Sequence, residues 1–240
     1  MTLFTSFNLT YLSLGLSPSL KTHLMQRKKI VLKFLLRLTW LGLLASPLLF
    51  SPLLAHAAKP VILVYGDSLS AAYGIAQEQG WVALLQQRID AKKLNYTVIN
   101  ASISGETTSG GLSRIEAALK EHRPQLILIE LGANDGLRGL PIIEMRKNLN
   151  TMITLSKKYT AKVILVGMRI PPNYGLKYTR DFKESYEVLA KQYKLPLVPF
   201  LLDGVAGNRE LNQDDGIHPL AKSEPKVLDN VWDILKNVIK

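Results

Sequence analysis

Five short apolar runs, each followed by a stretch of helical periodicity, constrain this chain more than any other feature. Val61–Tyr65, Tyr96–Asn100, Leu126–Glu130, Lys162–Gly167 and Leu197–Pro199 read as strands. Trp81–Lys93, Thr107–Glu121, Pro141–Tyr159, Arg180–Tyr193 and Lys222–Val238 read as helices, the first with Trp81, Leu84, Leu85 and Ile89 on one face. Strands that are apolar throughout, instead of alternating, suit a parallel sheet covered on both faces. The order β-α-β-α-β-α-β-α-β-α therefore predicts a doubly wound α/β domain. No internal repeat, low-complexity tract or linker interrupts it after residue 58.

The residues before that point are different in kind. Of the 240 residues, 30 are basic and 19 acidic, a net charge of +11. Lys21, Arg27, Lys28, Lys29, Lys33 and Arg37 precede Ala58 and no acid does, so the remainder carries 24 bases against 19 acids, or +5. That is a surface charge for solubility, without the basic run and interleaved aromatics of a nucleic-acid binder, and no nucleic acid is expected as a partner.

M-Q-R-K-K-I supplies a positive segment, and Leu38 to Leu54 an apolar stretch broken by Pro47 and Pro52. Ala55-His56-Ala57 then matches the small-x-small pattern of a signal-peptidase site. Residues 1–57 are expected to be an N-terminal extension and signal peptide, with Met25 as an alternative translation start. Cleavage is expected after Ala57, leaving the domain at 58–240 in the periplasm. An uncleaved membrane anchor is the competing reading. The chain has no cysteine, which excludes a thiol nucleophile, a lipidated cysteine and a thiolate metal site.

The stretch V-Y-G-D-S-L-S-A-A-Y-G runs from the first strand directly into Asp67 and Ser68 and then into small residues. It reads either as an ordinary βα turn or as a nucleophile at the carboxyl end of a strand, where open α/β sheets bind ligands. A serine nucleophile needs a base. His23 and His56 fall in the expected leader, and His122, in K-E-H-R-P, falls at the opposite edge of the sheet. His218, in D-D-G-I-H-P after the last strand, is at the right edge, and Asp215 three residues earlier can reach its Nδ1–H if the segment turns. A polar turn and a metal ligand are the other readings of that hexapeptide.

Acyl transfer also needs donors aimed at a developing oxyanion. Gly105, after the second strand, can present a bare backbone N–H; Asn134, in L-G-A-N-D-G after the third, an amide; and Ser68 its own N–H. Each residue has an ordinary loop role, but all of them fall at one sheet edge.

G-D-S-L-S, the glycine of I-S-G-E-T, G-A-N-D-G and D-G-I-H-P resemble, in order, the four sequence blocks of the GDSL or SGNH hydrolases. The run I-N-A-S-I-S-G-E-T departs by one residue, Ile99 standing where the family run has valine. The resemblance spans Lys59 to about Ile239. It implies a flavodoxin-like three-layer α/β/α sandwich with a five-stranded parallel sheet, the SGNH hydrolase fold. By the same resemblance Ser68 is the nucleophile, His218 the base and Asp215 its orienter, while Ser68, Gly105 and Asn134 form the oxyanion hole. No metal or organic cofactor is implied.

The implied activity is hydrolysis of carboxylic esters and thioesters with acyl chains, as an arylesterase, acyl thioesterase or lysophospholipase. A carbohydrate acetyl esterase is the alternative. The loops Leu137–Leu140 and Ile170–Leu176 mix apolar and small residues, so Leu140 and Pro172 are expected to line the acyl site. The expected partners are small-molecule or lipid esters, with transient membrane-surface contact, and the enzyme is expected to be a monomer.

Overall fold

The computed structural model describes residues 59–239, together with Ser19, His23, Gln26 and Arg27. The chain divides into two units, Met1–Ala57 and Ala58–Lys240, and the second carries the described fold. The expected signal peptide and its cleavage point lie outside the described residues. Among the described residues, no helix is long and apolar enough to cross a membrane.

The strands are β1 (Val61–Gly66), β2 (Thr97–Asn100), β3 (Leu126–Glu130), β4 (Lys162–Val166) and β5 (Leu197–Val198), and they pair in parallel in the order β2-β1-β3-β4-β5. Ile62 to Tyr65 in β1 and all of β3 are buried, because these central strands are covered on both faces; β2, at one edge, is half-buried. Among the described residues six α-helices connect and follow the strands: α1 (Trp81–Ala91), α2 (Thr108–His122), α3 (Ala133–Leu137), α4 (Ile142–Lys158), α5 (Leu176–Tyr193) and α6 (Glu224–Leu235).

The step from β1 to β2 runs in the opposite direction across the sheet from every later step, so right-handed crossovers put α1 on the face opposite α2, α4 and α5. Packing agrees, since α1 lies against α6 while α4 lies against both α2 and α5. The result is the expected three-layer α/β/α sandwich. Its direction of winding reverses between β1 and β3, and that reversal opens a crevice at the carboxyl ends of the two strands.

Two departures from the sequence expectation have local causes. The segment G-A-N-D-G is not simply a loop, since Ala133–Leu137 forms the short helix α3. Helix α5 begins at Leu176, before the expected Arg180, because Gly175 at φ 91° turns the chain straight from the proline-rich segment into the helix. Within that segment, Pro172–Tyr174 forms a single 3₁₀ turn.

Candidate active site

At the end of β1 the chain must turn against β3, where Gly66 pairs with Glu130. A side chain at Gly66 would collide with Glu130 Oε2 and sit 2.8 Å from Ser70 Oγ, so glycine is required by the close approach. Asp67, 1 % exposed, folds back so that its Oδ1 accepts the Leu69 N–H at 3.1 Å. This leaves Ser68 half-buried at the outside of the turn.

The loop carrying His218 is built by its own backbone. Asn212 and Pro219 form an antiparallel bridge, the Gln213 N–H donates to the His218 carbonyl at 2.7 Å, and Gly216 takes φ 69° at the tip. Asp215 Oδ1 accepts the N–H groups of Ile217 and His218 at 2.8 and 3.0 Å, which frees Oδ2 to meet His218 Nδ1 at 2.6 Å. A carboxylate only accepts, so Nδ1 carries the hydrogen and Nε2 presents its lone pair. Nε2 lies 2.8 Å from Ser68 Oγ and accepts that hydroxyl. Burial alone would raise the Asp215 carboxyl, but the hydrogen bonds from His218 and Ile217 outweigh it and hold the group below its ordinary range. His122 sits at the end of α2, by the opposite edge of the sheet.

Two clamps join these loops across the sequence. Gln213 Nε2 donates to the Tyr73 carbonyl at 2.8 Å and the Pro219 carbonyl at 3.0 Å, tying the segment after Ser68 to the histidine loop. The Tyr73 ring then covers the His218 imidazole at 4.5 Å between centroids. On the other side, the Ile103 N–H donates to the Gly66 carbonyl at 3.0 Å and Asn100 Nδ2 to the Ser70 carbonyl at 2.7 Å. These bonds bring the loop after β2, with Gly105 at φ 77°, beside the Ser68 turn.

Asn134 stands in the first turn of α3, after β3, and donates one Nδ2 hydrogen to Asp67 Oδ2 at 3.2 Å, leaving the second hydrogen available. Asp67 is raised to about 6 by burial, against hydrogen bonds from Leu69 and Asn134 and the charge of His218. Arg138, at the end of α3, donates to the Gly105 carbonyl at 2.9 Å, so this one short helix contacts the loops after both β1 and β2. Asp67, Glu130, Arg138 and Gln213 escaped the sequence reading. The one available signal was an acid, Glu130, ending an otherwise apolar strand.

A cavity of about 490 Å³ opens beside Ser68, Asn134 and His218. Leu137, Met168, Ile170 and Phe200 give it an apolar wall, and Pro172 also lines it. Leu140 does not, because the chain turns away after Arg138 and the Tyr178 hydroxyl holds the Leu140 carbonyl at 2.7 Å.

The sequence signature of the GDSL-like lipase/acylhydrolase family matches residues 64–223. The chain belongs to this family. This GDSL-like hydrolase is 47% identical over 197 residues to the esterase TesA of Pseudomonas aeruginosa, covering 82% of the present chain and 98% of TesA. It is 40% identical over 185 residues to thioesterase 1/protease 1/lysophospholipase L1 of Escherichia coli, covering 76% and 88% of the two chains.

The crystal structure of the psychrotrophic esterase EstA from Pseudoalteromonas, inhibited by monoethylphosphonate, superposes with a TM-score of 0.72 at 43% identity. That alignment covers 74% of this chain and 97% of EstA. The GDSL-like hydrolase therefore has the SGNH hydrolase fold and is an enzyme acting on ester bonds.

Proposed function

We propose that this hydrolase cleaves carboxylic esters and thioesters by two-step acyl transfer, with Ser68 as nucleophile, His218 as general base and Asp215 as its orienter. The single observation that carries the reading is the unbroken path from Ser68 Oγ through the imidazole to Asp215, at 2.8 and 2.6 Å. His218 Nε2 takes the hydroxyl proton as Ser68 Oγ attacks the carbonyl carbon. The resulting imidazolium is stabilised by Asp215 and returns the proton to the leaving alcohol or thiol. Water, deprotonated by the same nitrogen, then releases the acid.

The tetrahedral oxyanion is held by the backbone N–H groups of Ser68 and Gly105 and the free amide hydrogen of Asn134. Small residues after Ser68 leave room for the carbonyl to approach within about 3 Å of the hydroxyl.

The apolar wall and volume of the cavity favour acyl chains longer than acetyl, which supports lipid and aryl esters over acetylated polysaccharide. The signal-like segment supports export, with a mature enzyme that begins at Ala58, acts in the periplasm as a monomer and touches membrane surfaces in passing. The names of the relatives, esterase and thioesterase/lysophospholipase, support the same substrate range.

The test combines covalent labelling with turnover. A fluorophosphonate should label the native enzyme at Ser68, and Ser68→Ala should lose the label and at least about a thousandfold of kcat on p-nitrophenyl acyl esters. Undiminished turnover by Ser68→Ala would remove Ser68 from the mechanism.

A further inference from the structure

One permanently charged residue, exposed to solvent, lines the cavity beside Ser68. Arg169, just past the end of β4, lines it, with the guanidinium over the Phe200 ring at 4.9 Å from the centroid. Among the described residues, Arg169 has no hydrogen-bond acceptor and no carboxylate at ion-pair distance. Three other arginines are engaged: Arg114 with Glu106, Arg138 with the Gly105 carbonyl, and Arg180 with Asp181. The other ionisable groups of the cavity are committed as well. Asp67 is tied to Leu69 and Asn134, and His218 to Ser68 and Asp215.

Stacking on an aromatic ring covers one face of a guanidinium and fixes its plane, but leaves its N–H edges free. Those edges match the spacing of two oxygens on a phosphate or carboxylate. An unpaired, oriented guanidinium against an apolar wall selects for an anion carried on an apolar molecule, since the wall supplies the hydrophobic contact and the edge supplies the charge-assisted hydrogen bonds.

We infer that Arg169 forms an oxyanion-recognition subsite, so that the preferred substrates are amphiphilic esters bearing a phosphate or carboxylate near the scissile bond. The inference rests on the Ser68-centred reading for which bond is scissile, but the subsite itself does not. The anion has two chemical sources: a phosphate on the alcohol side of the ester, or a carboxylate on the acyl side.

Non-hydrolysable ethers test the subsite without turnover. Three probes of matched chain length are titrated by calorimetry, below their micellar concentrations, into the purified enzyme. They are a dodecyl glycerol ether, its phosphate monoester, and a dodecyl ether ending in a carboxylate. The enzyme should bind at least one anionic probe about tenfold or more tightly than the neutral one, with the margin shrinking as salt rises. The anion preferred identifies the source.

Arg169→Leu should abolish the margin and Arg169→Lys should retain part of it. Equal affinity for all three probes, or a margin that survives in Arg169→Leu, would overturn the inference. Undiminished ester turnover by Ser68→Ala, with the margin intact, would instead refute the Ser68 reading and leave the subsite standing.

Discussion

The Ser70 hydroxyl donates to Glu130 Oε2 at 2.7 Å, joining the turn after β1 to the last residue of β3 with no solvent access to the carboxyl. The same oxygen accepts the Asp67 N–H at 3.2 Å, so the residues around Ser68 hang from one carboxyl on the neighbouring strand. Burial and the adjacent Asp67 charge push Glu130 well above the usual carboxylate range.

Removing that carboxyl should therefore damage the support of Ser68, the proposed nucleophile. Glu130→Ala should lose about 2 kcal/mol of stability by leaving buried donors unpaired, and about tenfold or more in kcat. Glu130→Gln, which keeps an acceptor oxygen for the Asp67 N–H and the Ser70 hydroxyl, should stay within a few-fold of the parent. Urea unfolding and p-nitrophenyl ester kinetics on both variants check this; equal losses in the two would show that shape, and not hydrogen bonding, is what matters.

Gly66→Ala should act through the same contact from the other strand. Its methyl group would press on Glu130 Oε2 and Ser70 Oγ, so a cost of about 1–3 kcal/mol is expected, together with lost turnover. Thermal denaturation alongside activity measures both; a stable, fully active variant would mean that the strand ends can move apart freely.

Asp215→Asn preserves the size of the side chain but offers an amide where the ring nitrogen needs an acceptor. The imidazole then loses its fixed tautomer, and kcat should fall by about a thousandfold or more. Because Asp215 does not line the cavity, KM should change little. A variant whose loss appeared in KM with kcat intact would contradict the orienting role.

Glu224 gives a pH signature unrelated to catalysis. It is 2 % exposed and accepts the Trp81 N–H at 2.8 Å, and burial raises it from 4.5 to about 7. Between those values the folded state binds more protons than the unfolded chain, so this group's contribution to stability declines as pH rises. The loss is complete above its folded pKa and amounts to at most about 3 kcal/mol. Glu224→Gln keeps the acceptor and removes the charge, so the variant should gain on the parent across this window and be the more stable one at alkaline pH. Urea unfolding at several pH values tests it; a constant difference between the two proteins would rule out Glu224 as the titrating group.

The layer architecture was readable because the strands repeat one physical signal. Leu126–Glu130 is apolar enough to need cover on both faces, and its span in the structure matches the span read from the sequence. Ser68, Gly105, Asn134 and His218 were legible for a related reason, since each follows a strand and the parallel sheet brings those ends to one edge. The supporting residues were not. Glu130 looks like one more strand position, and its partner Ser70 is sixty residues away. Gln213 looks like loop filler until the Tyr73 carbonyl is seen against it. Leu140 misled because the sequence does not reveal that the chain leaves the cavity after α3. Pairings between distant segments are set by tertiary packing, and one-dimensional periodicity carries no trace of them.

The separation of Ser68 and His218 by 150 positions has a consequence for how the molecule matures. Ser68 follows β1, whereas His218 arrives only after β5. If Ser68 and His218 act as proposed, a nascent polypeptide exposes a hydroxyl with no proton acceptor beside it and stays inert towards esters. Under the proposed chemistry, the onset of turnover would time the docking of the final loop, making hydrolysis a clock for the last stage of folding.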